Sequence, residues 1–184
     1  DMKGGLAAMM IALRTFKRHF QPSTDVYFLA STREETGECP ASKELVKSLP
    51  VRYCIVGEPT NLQLEITNKG LYFFRLVSTG KSAHLSVPQR GVNAIDNLVY
   101  AIDALRDTYF KQRTEGQSLF ILCNIKGGTE GIPDYAEALY NRRTVKGDSF
   151  ANDRRNIERA LEKLKASVPN LALRVEHHAG YEKE

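Results

Sequence analysis

Asn68-Lys69-Gly70-Leu71-Tyr72-Phe73-Phe74-Arg75-Leu76-Val77-Ser78-Thr79 is the stretch at which the chain changes its rhythm. Asn-Lys-Gly is a turn signal, and the run 71–79, rich in aromatic and β-branched side chains, reads as a strand. Downstream, residues 92–110 place Ile95, Leu98, Val99, Ile102 and Leu105 on one face of a long helix. Residues 118–125 and 135–144 read as strands separated by the glycine-rich Gly127-Gly128-Thr129-Glu130-Gly131. Residues 149–166 form a charged amphipathic helix carrying Ile157, Ala160, Leu161 and Leu164, and residues 171–176 a last strand. The order β-α-β-β-α-β is that of a ferredoxin-like unit.

Upstream the pattern is different. Leu6, Met9, Met10, Leu13, Phe16 and Phe20 follow helical spacing over residues 2–20. Arg14, Lys17, Arg18 and His19 fall in its last turns, where cations suit the helix dipole. Residues 25–30 then read as a buried strand, 42–48 as a short helix closed by Pro50, and 51–56 as a second apolar strand. Helix, strand, helix, strand is the rhythm of an α/β layer with parallel strands. The expectation is an α/β protein of two parts: residues 1–67, and a ferredoxin-like βαββαβ domain over 68–180.

The composition is that of an ordinary globular chain, with 42% hydrophobic and 26% charged residues among 184. The net charge of +4 is mild, and its cations are scattered rather than gathered into a stripe with aromatics, so no nucleic-acid partner is expected. No apolar run approaches the roughly 20 residues that span a bilayer, so no membrane partner is expected either. Cys39, Cys54 and Cys123 form no CxxC pair and no disulfide framework, which points to a reducing, cytoplasmic compartment. The chain opens at Asp1, directly before a helix, and reads as a piece of something longer.

The chemistry-bearing residues cluster at element ends. Ser31-Thr32-Arg33-Glu34-Glu35-Thr36-Gly37 follows the first apolar strand and puts two adjacent carboxylates in the loop where it emerges. Glu58, between Gly57 and Pro59, ends the second. Asp1 precedes Lys3-Gly4-Gly5, glycines that are poor helix formers and suggest a close backbone approach. Each has an ordinary alternative: Asp1 as a helix N-cap, Glu58 as a turn carboxylate, the glutamate pair as solvated surface. Taken together, four carboxylates along one sheet edge repel one another unless a cation lies among them, and a divalent metal is the natural one. In the second part, His84 sits in the loop Gly80-Lys81-Ser82-Ala83-His84-Leu85-Ser86. Arg142 and Arg143 end the third strand, where an exposed strand end is their ordinary role.

Asp1-Met2-Lys3-Gly4-Gly5, the run from Ser31 to Gly37, Ile55-Val56-Gly57-Glu58-Pro59-Thr60 and Gly80-Lys81-Ser82-Ala83-His84 stand in this order along the chain. Together they resemble the M20 metallopeptidases and aminoacylases, the family of acetylornithine deacetylase and succinyl-diaminopimelate desuccinylase. The resemblance implies part of a zinc-peptidase-like α/β catalytic domain interrupted by a ferredoxin-like lid through which two chains form a homodimer. It implies two zinc ions per active site, with Co2+ or Mn2+ as substitutes. Asp1 would bridge them, and Glu35 and Glu58 would each be a terminal ligand of one ion. It implies Glu34 as general base, His84 as a lid histidine reaching a neighbouring subunit's site, and Arg143 as the group holding a substrate carboxylate. The family's two histidine metal ligands have no counterpart in this sequence, so the chain by itself is expected to be inactive.

The implied reaction is hydrolysis of the amide bond of an N-acyl amino acid, of deacetylase or desuccinylase type, by metal-activated water. A di- or tripeptidase or a carboxypeptidase of the same family is the alternative within enzymes, acting on short peptides. A non-catalytic ferredoxin-like dimerisation or binding module is the alternative outside them.

Overall fold

A computed structural model of the chain describes residues 2–35, 39–108, 119–128 and 130–181. It divides into two compact units, Asp1–Ile66 and Thr67–Glu184.

The second unit is a four-stranded antiparallel sheet covered on one face by two helices. Its elements are β1 (Gly70–Thr79), α3 (Ala94–Thr108), β2 (Leu119–Gly127), β3 (Tyr135–Thr144), α4 (Phe150–Lys165) and β4 (Ala172–Tyr181), in the sheet order β2-β3-β1-β4. This is the βαββαβ arrangement that the alternation of patterns predicts, with β1 and β3 side by side in the middle.

Register explains the core. Tyr72, Phe74 and Leu76 of β1 lie opposite Arg142, Tyr140 and Ala138 of β3, so one set of alternate residues faces the helices. Onto that face α3 lays Ala94, Leu98, Ala101, Ile102 and Leu105, and α4 lays Ile157 and Leu161. The rings of Phe74 and Tyr140 stack at 5.1 Å, and Phe120 of β2 meets Phe74 edge-on at 6.1 Å. Alanines at 136 and 138 keep β3 low where α3 crosses it. α4 starts where Ser149 caps it, its hydroxyl accepting from the Asn152 amide at 3.2 Å. β4 runs to Tyr181, beyond the expected residue 176, and it does so through a register shift opposite Phe73 and Phe74.

The first unit holds α1 (Lys3–His19) and α2 (Pro40–Ser48), both where the apolar spacing predicts helices. Residues 25–30 and 51–56 differ from expectation: they are paired into no β ladder. The reason is visible in their surroundings. A strand in water needs partners on its edges and cover on its apolar face, yet Tyr53 and Ile55 are about nine-tenths exposed. No described residue between 2 and 66 is buried. No residue of α1 is buried; Leu6, Met9 and Leu13 of its apolar stripe are half-buried, and Phe16 and Phe20 stack on each other at 5.3 Å.

Candidate functional site

The two units carry different groups of the expected constellation. In the first, Asp1 lies outside the described residues, while Glu34, Glu35 and Glu58 are all exposed. Two local devices hold the segments that bear them. Of the glycine pair at the start of α1, Gly5 serves a close approach and Gly4 faces open space: a Cβ on Gly5 would stand 2.9 Å from the Gly57 carbonyl oxygen, and one on Gly57 would stand 2.7 Å from the Met9 methyl. The start of α1 and the Gly57-Glu58 turn therefore touch because both lack side chains there. The 31–35 loop is tied to α2 by a 2.6 Å hydrogen bond from the Ser42 hydroxyl to that of Ser31 and by the Cys39 amide on the Arg33 carbonyl. Arg33 has φ of 59°, a left-handed backbone unusual for an arginine, immediately before the glutamate pair.

Carboxylate oxygens are suitable ligands for a divalent ion such as zinc, but the arrangement is open. Among the described residues, no group of three or more His, Cys, Asp or Glu side chains is placed to hold a metal ion.

In the second unit, His84 sits on a platform made of two loops. The loop after β1 is closed by a bridge between Lys81 and Val92. Gly80 lies so close to that bridge that a Cβ there would collide with the Val92 carbonyl. The loop before β3 packs against it: the Ile132 amide donates to the Ala83 carbonyl at 2.9 Å, the Gly80 amide to Asp134, and the Ala94 amide to Pro133. Gly131 leaves room for that contact, since its Cβ would be 2.8 Å from the Ala83 oxygen. The sequence pattern flags one loop for its glycines and the other for its histidine, but nothing in it says that they interlock. On this platform the His84 carbonyl accepts from the Val87 amide, closing a turn. Its ring Nδ1 lies 3.2 Å from the Ser86 amide and 2.7 Å from the Ser86 hydroxyl.

Arg143 is exposed near the far end of β3. β3 starts at Tyr135, opposite Thr79, and reaches Arg143, opposite Leu71. His84 follows Thr79, so the two side chains belong to opposite ends of the sheet, separated by about 26 Å of strand.

Its neighbour Arg142 corrects the expectation of an exposed strand end, being only 3% exposed. Its Nε donates to Asp153 Oδ2 at 2.7 Å, a second nitrogen lies 3.2 Å from Asp148 Oδ2, and its guanidinium sits 4.0 Å above the Phe120 ring. The buried Tyr72 hydroxyl donates to the same Asp153 carboxylate. Burial pulls the Arg142 pKa down, but the hydrogen bond and charge of Asp153, with Asp148 behind it, outweigh that and hold it up. Burial, reinforced by Asp153, drives the Tyr72 phenol far above the usual tyrosine range. This network is shared between β1, β3 and α4, and it is structural in character. Only burial separates Arg142 from Arg143, and adjacent arginines in a sequence carry no mark of it.

The chain belongs to the M20 peptidase family: residues 66–169 match its peptidase dimerisation domain. It is 31% identical over 159 residues to a succinyl-diaminopimelate desuccinylase of Nitrosococcus oceani, covering 78% of this chain and 42% of that protein. An acetylornithine deacetylase of Aliivibrio fischeri is 30% identical over 181 residues, covering 92% and 47%, and a probable carboxypeptidase of Aspergillus flavus is 30% identical, covering 89% and 43%. The chain thus spans less than half the length of these relatives. Among solved structures, a tripeptidase from Staphylococcus aureus matches the whole chain and half of its own at a TM-score of 0.64 with 18% identity. An aminopeptidase from Bacillus cereus does so at 0.62, also with 18% identity. These two likenesses establish the fold. Among the described residues no helix is long and apolar enough to cross a membrane.

Proposed function

We propose that the chain contributes a lid and part of the catalytic site to a hydrolase that cleaves the amide bond of an N-acyl amino acid, of deacetylase or desuccinylase type. The observation that carries this reading is the His84 platform, a histidine held on interlocked loops at one end of a dimerisation sheet in a chain of this family. Glu34 would take a proton from the attacking water as its oxygen bonds to the acyl carbon, then return it to the departing amine. His84 would donate to the oxygen that becomes negative in between. Arg143, a planar fork of donors, suits the carboxylate of the amino acid.

A small substrate cannot span about 26 Å, so His84 and Arg143 of one chain would not meet on one molecule. A homodimer resolves this, with His84 entering the neighbouring subunit's site. A surface suited to a second copy runs along the sheet: among the described residues β2 pairs only with β3, and Ile125 on it and Val99 on α3 are both more than half exposed. The two-fold contact would join the β2 edges with the outer flank of α3 beside them.

Asp1, Glu35 and Glu58 would supply oxygen donors to divalent ions, Zn2+ first and Co2+ or Mn2+ as substitutes. That part of the reading rests on donor chemistry alone, because the described carboxylates do not converge. Metal analysis of the intact protein tests it: about two ions per active site support it, and a metal-free active protein refutes it. A metal-free protein with no hydrolase activity would favour a binding module instead. The relative described as a probable carboxypeptidase supports a second reading, a peptidase acting on short peptides. Parallel assays with N-acetyl and N-succinyl amino acids and with dipeptides and tripeptides separate the two. The three thiols Cys39, Cys54 and Cys123 are all free, as a reducing cytoplasm would keep them.

A further inference from the structure

The contacts at His84 specify more than its place. Nδ1 of a neutral imidazole is either a donor or an acceptor, and its hydrogen-bond partner decides which. Here the Ser86 backbone amide points at Nδ1 at 3.2 Å. An amide N–H can only donate, so Nδ1 must present its lone pair. The Ser86 hydroxyl, 2.7 Å from the same nitrogen, can donate as well. Both donors come from one residue, and the turn closed by the Val87 amide on the His84 carbonyl keeps that residue beside Nδ1. The ring proton then resides on Nε2, at the opposite edge of an exposed side chain.

We infer that Ser86 is a positioning residue, which fixes His84 in the tautomer with Nε2 protonated and so makes it a hydrogen-bond donor rather than a base. Its consequence for turnover rests on the reading above, in which His84 donates to a developing oxyanion. The reverse tautomer would turn a lone pair toward that negative oxygen and repel it.

The test has two arms. With 15N-labelled histidine in this chain, long-range proton–nitrogen correlation reads which ring nitrogen of His84 is protonated at about pH 8, where an ordinary imidazole is neutral. Wild-type His84 should give the Nε2-protonated form. In S86A the share of the Nδ1-protonated form should rise about threefold or more, the scale of one modest hydrogen bond, and S86T should restore it. A tautomer ratio unchanged both in S86A and in S86P, which lacks the amide donor as well, or a wild-type ring protonated at Nδ1, overturns the inference. In the intact protein, S86A should lower kcat by about twofold or less, in step with the lost share of the Nε2-protonated form and with KM nearly unchanged, and S86T should recover most of it. A kcat loss without a tautomer change overturns the inference too. A wild-type protein that hydrolyses no N-acyl amino acid or peptide would instead sink the hydrolase reading, leaving the ring-nitrogen result standing.

Discussion

Asp153→Asn should be among the most damaging conservative substitutions in the second unit. The carboxylate is 5% exposed and serves two buried partners, the Arg142 guanidinium at 2.7 Å and the Tyr72 hydroxyl. Asparagine keeps the shape and removes the charge, leaving a guanidinium that is 3% exposed with less than its counter-charge. Breaking a buried ion pair from one side costs about 3–5 kcal/mol. Asp148, at 3.2 Å, still faces Arg142 and is better solvated, so the lower end of that range applies, about 3 kcal/mol. For a unit of this size the unfolding entropy is about 250 cal/mol/K, which converts that loss into a fall in melting temperature of about 12 °C. Differential scanning calorimetry on the chain measures it. The triple variant Y72F/R142M/D153L removes every member that needs the carboxylate and should lose less than D153N alone, because no buried charge is stranded. A D153N melting point within about 3 °C of wild type, or a triple variant less stable than D153N, would refute the reasoning.

Tyr140 gives a pH dependence with a definite sign. Burial pushes its phenol up to about 12 in the folded state from 10.0 in the open chain. The stability it contributes is whole below pH 10 and is lost as pH rises toward 12, because the unfolded chain releases its proton first. Urea titrations at increasing pH should therefore find wild type losing about 2–3 kcal/mol more than Y140F over that interval; parallel curves would contradict it. Gly80→Ala should push against the Val92 carbonyl, a backbone atom that cannot swing away, and cost about 1–3 kcal/mol. Hydrogen exchange should then be faster at the Lys81 and Val92 amides, and unchanged protection there would count against the platform. Ile125→Asp on the β2 edge should shift the sedimentation of the chain toward monomer at tens of micromolar, where wild type should be dimeric; a wild-type monomer under these conditions opposes the proposed contact.

The second unit was legible because β1, β3 and the two helices each bury one face against another, whereas β2 is half-buried only at Leu119 and Phe120. The 3.6-residue spacing of Leu98, Ile102 and Leu105 and the two-residue alternation of Tyr72, Phe74 and Leu76 record the same core from opposite sides. The first unit was legible only where structure is local. α1 and α2 form from spacing and close their own hydrogen bonds, whereas residues 25–30 and 51–56 have the composition of strands but no partners. Composition reports what a segment could pair with, not whether the pairing exists. At the site, the sequence hinted at a close approach only at Gly4 and Gly5, without naming the counterpart, and the tight contacts at Gly57, Gly80 and Gly131 went unread. The Ser86 hold on His84 depends on the angle of a turn, which a two-residue spacing does not encode.

The placement of His84 and Arg143 at opposite ends of one sheet has a genetic consequence. If each working site draws its histidine from one subunit and its arginine from the other, lesions at the two positions do not behave as lesions of one function. A His84→Ala chain and an Arg143→Ala chain would then each be defective as homodimers. In a mixed dimer, both lesions fall on one site and the other site is left whole. Two inactive alleles expressed together should therefore restore activity that neither has alone.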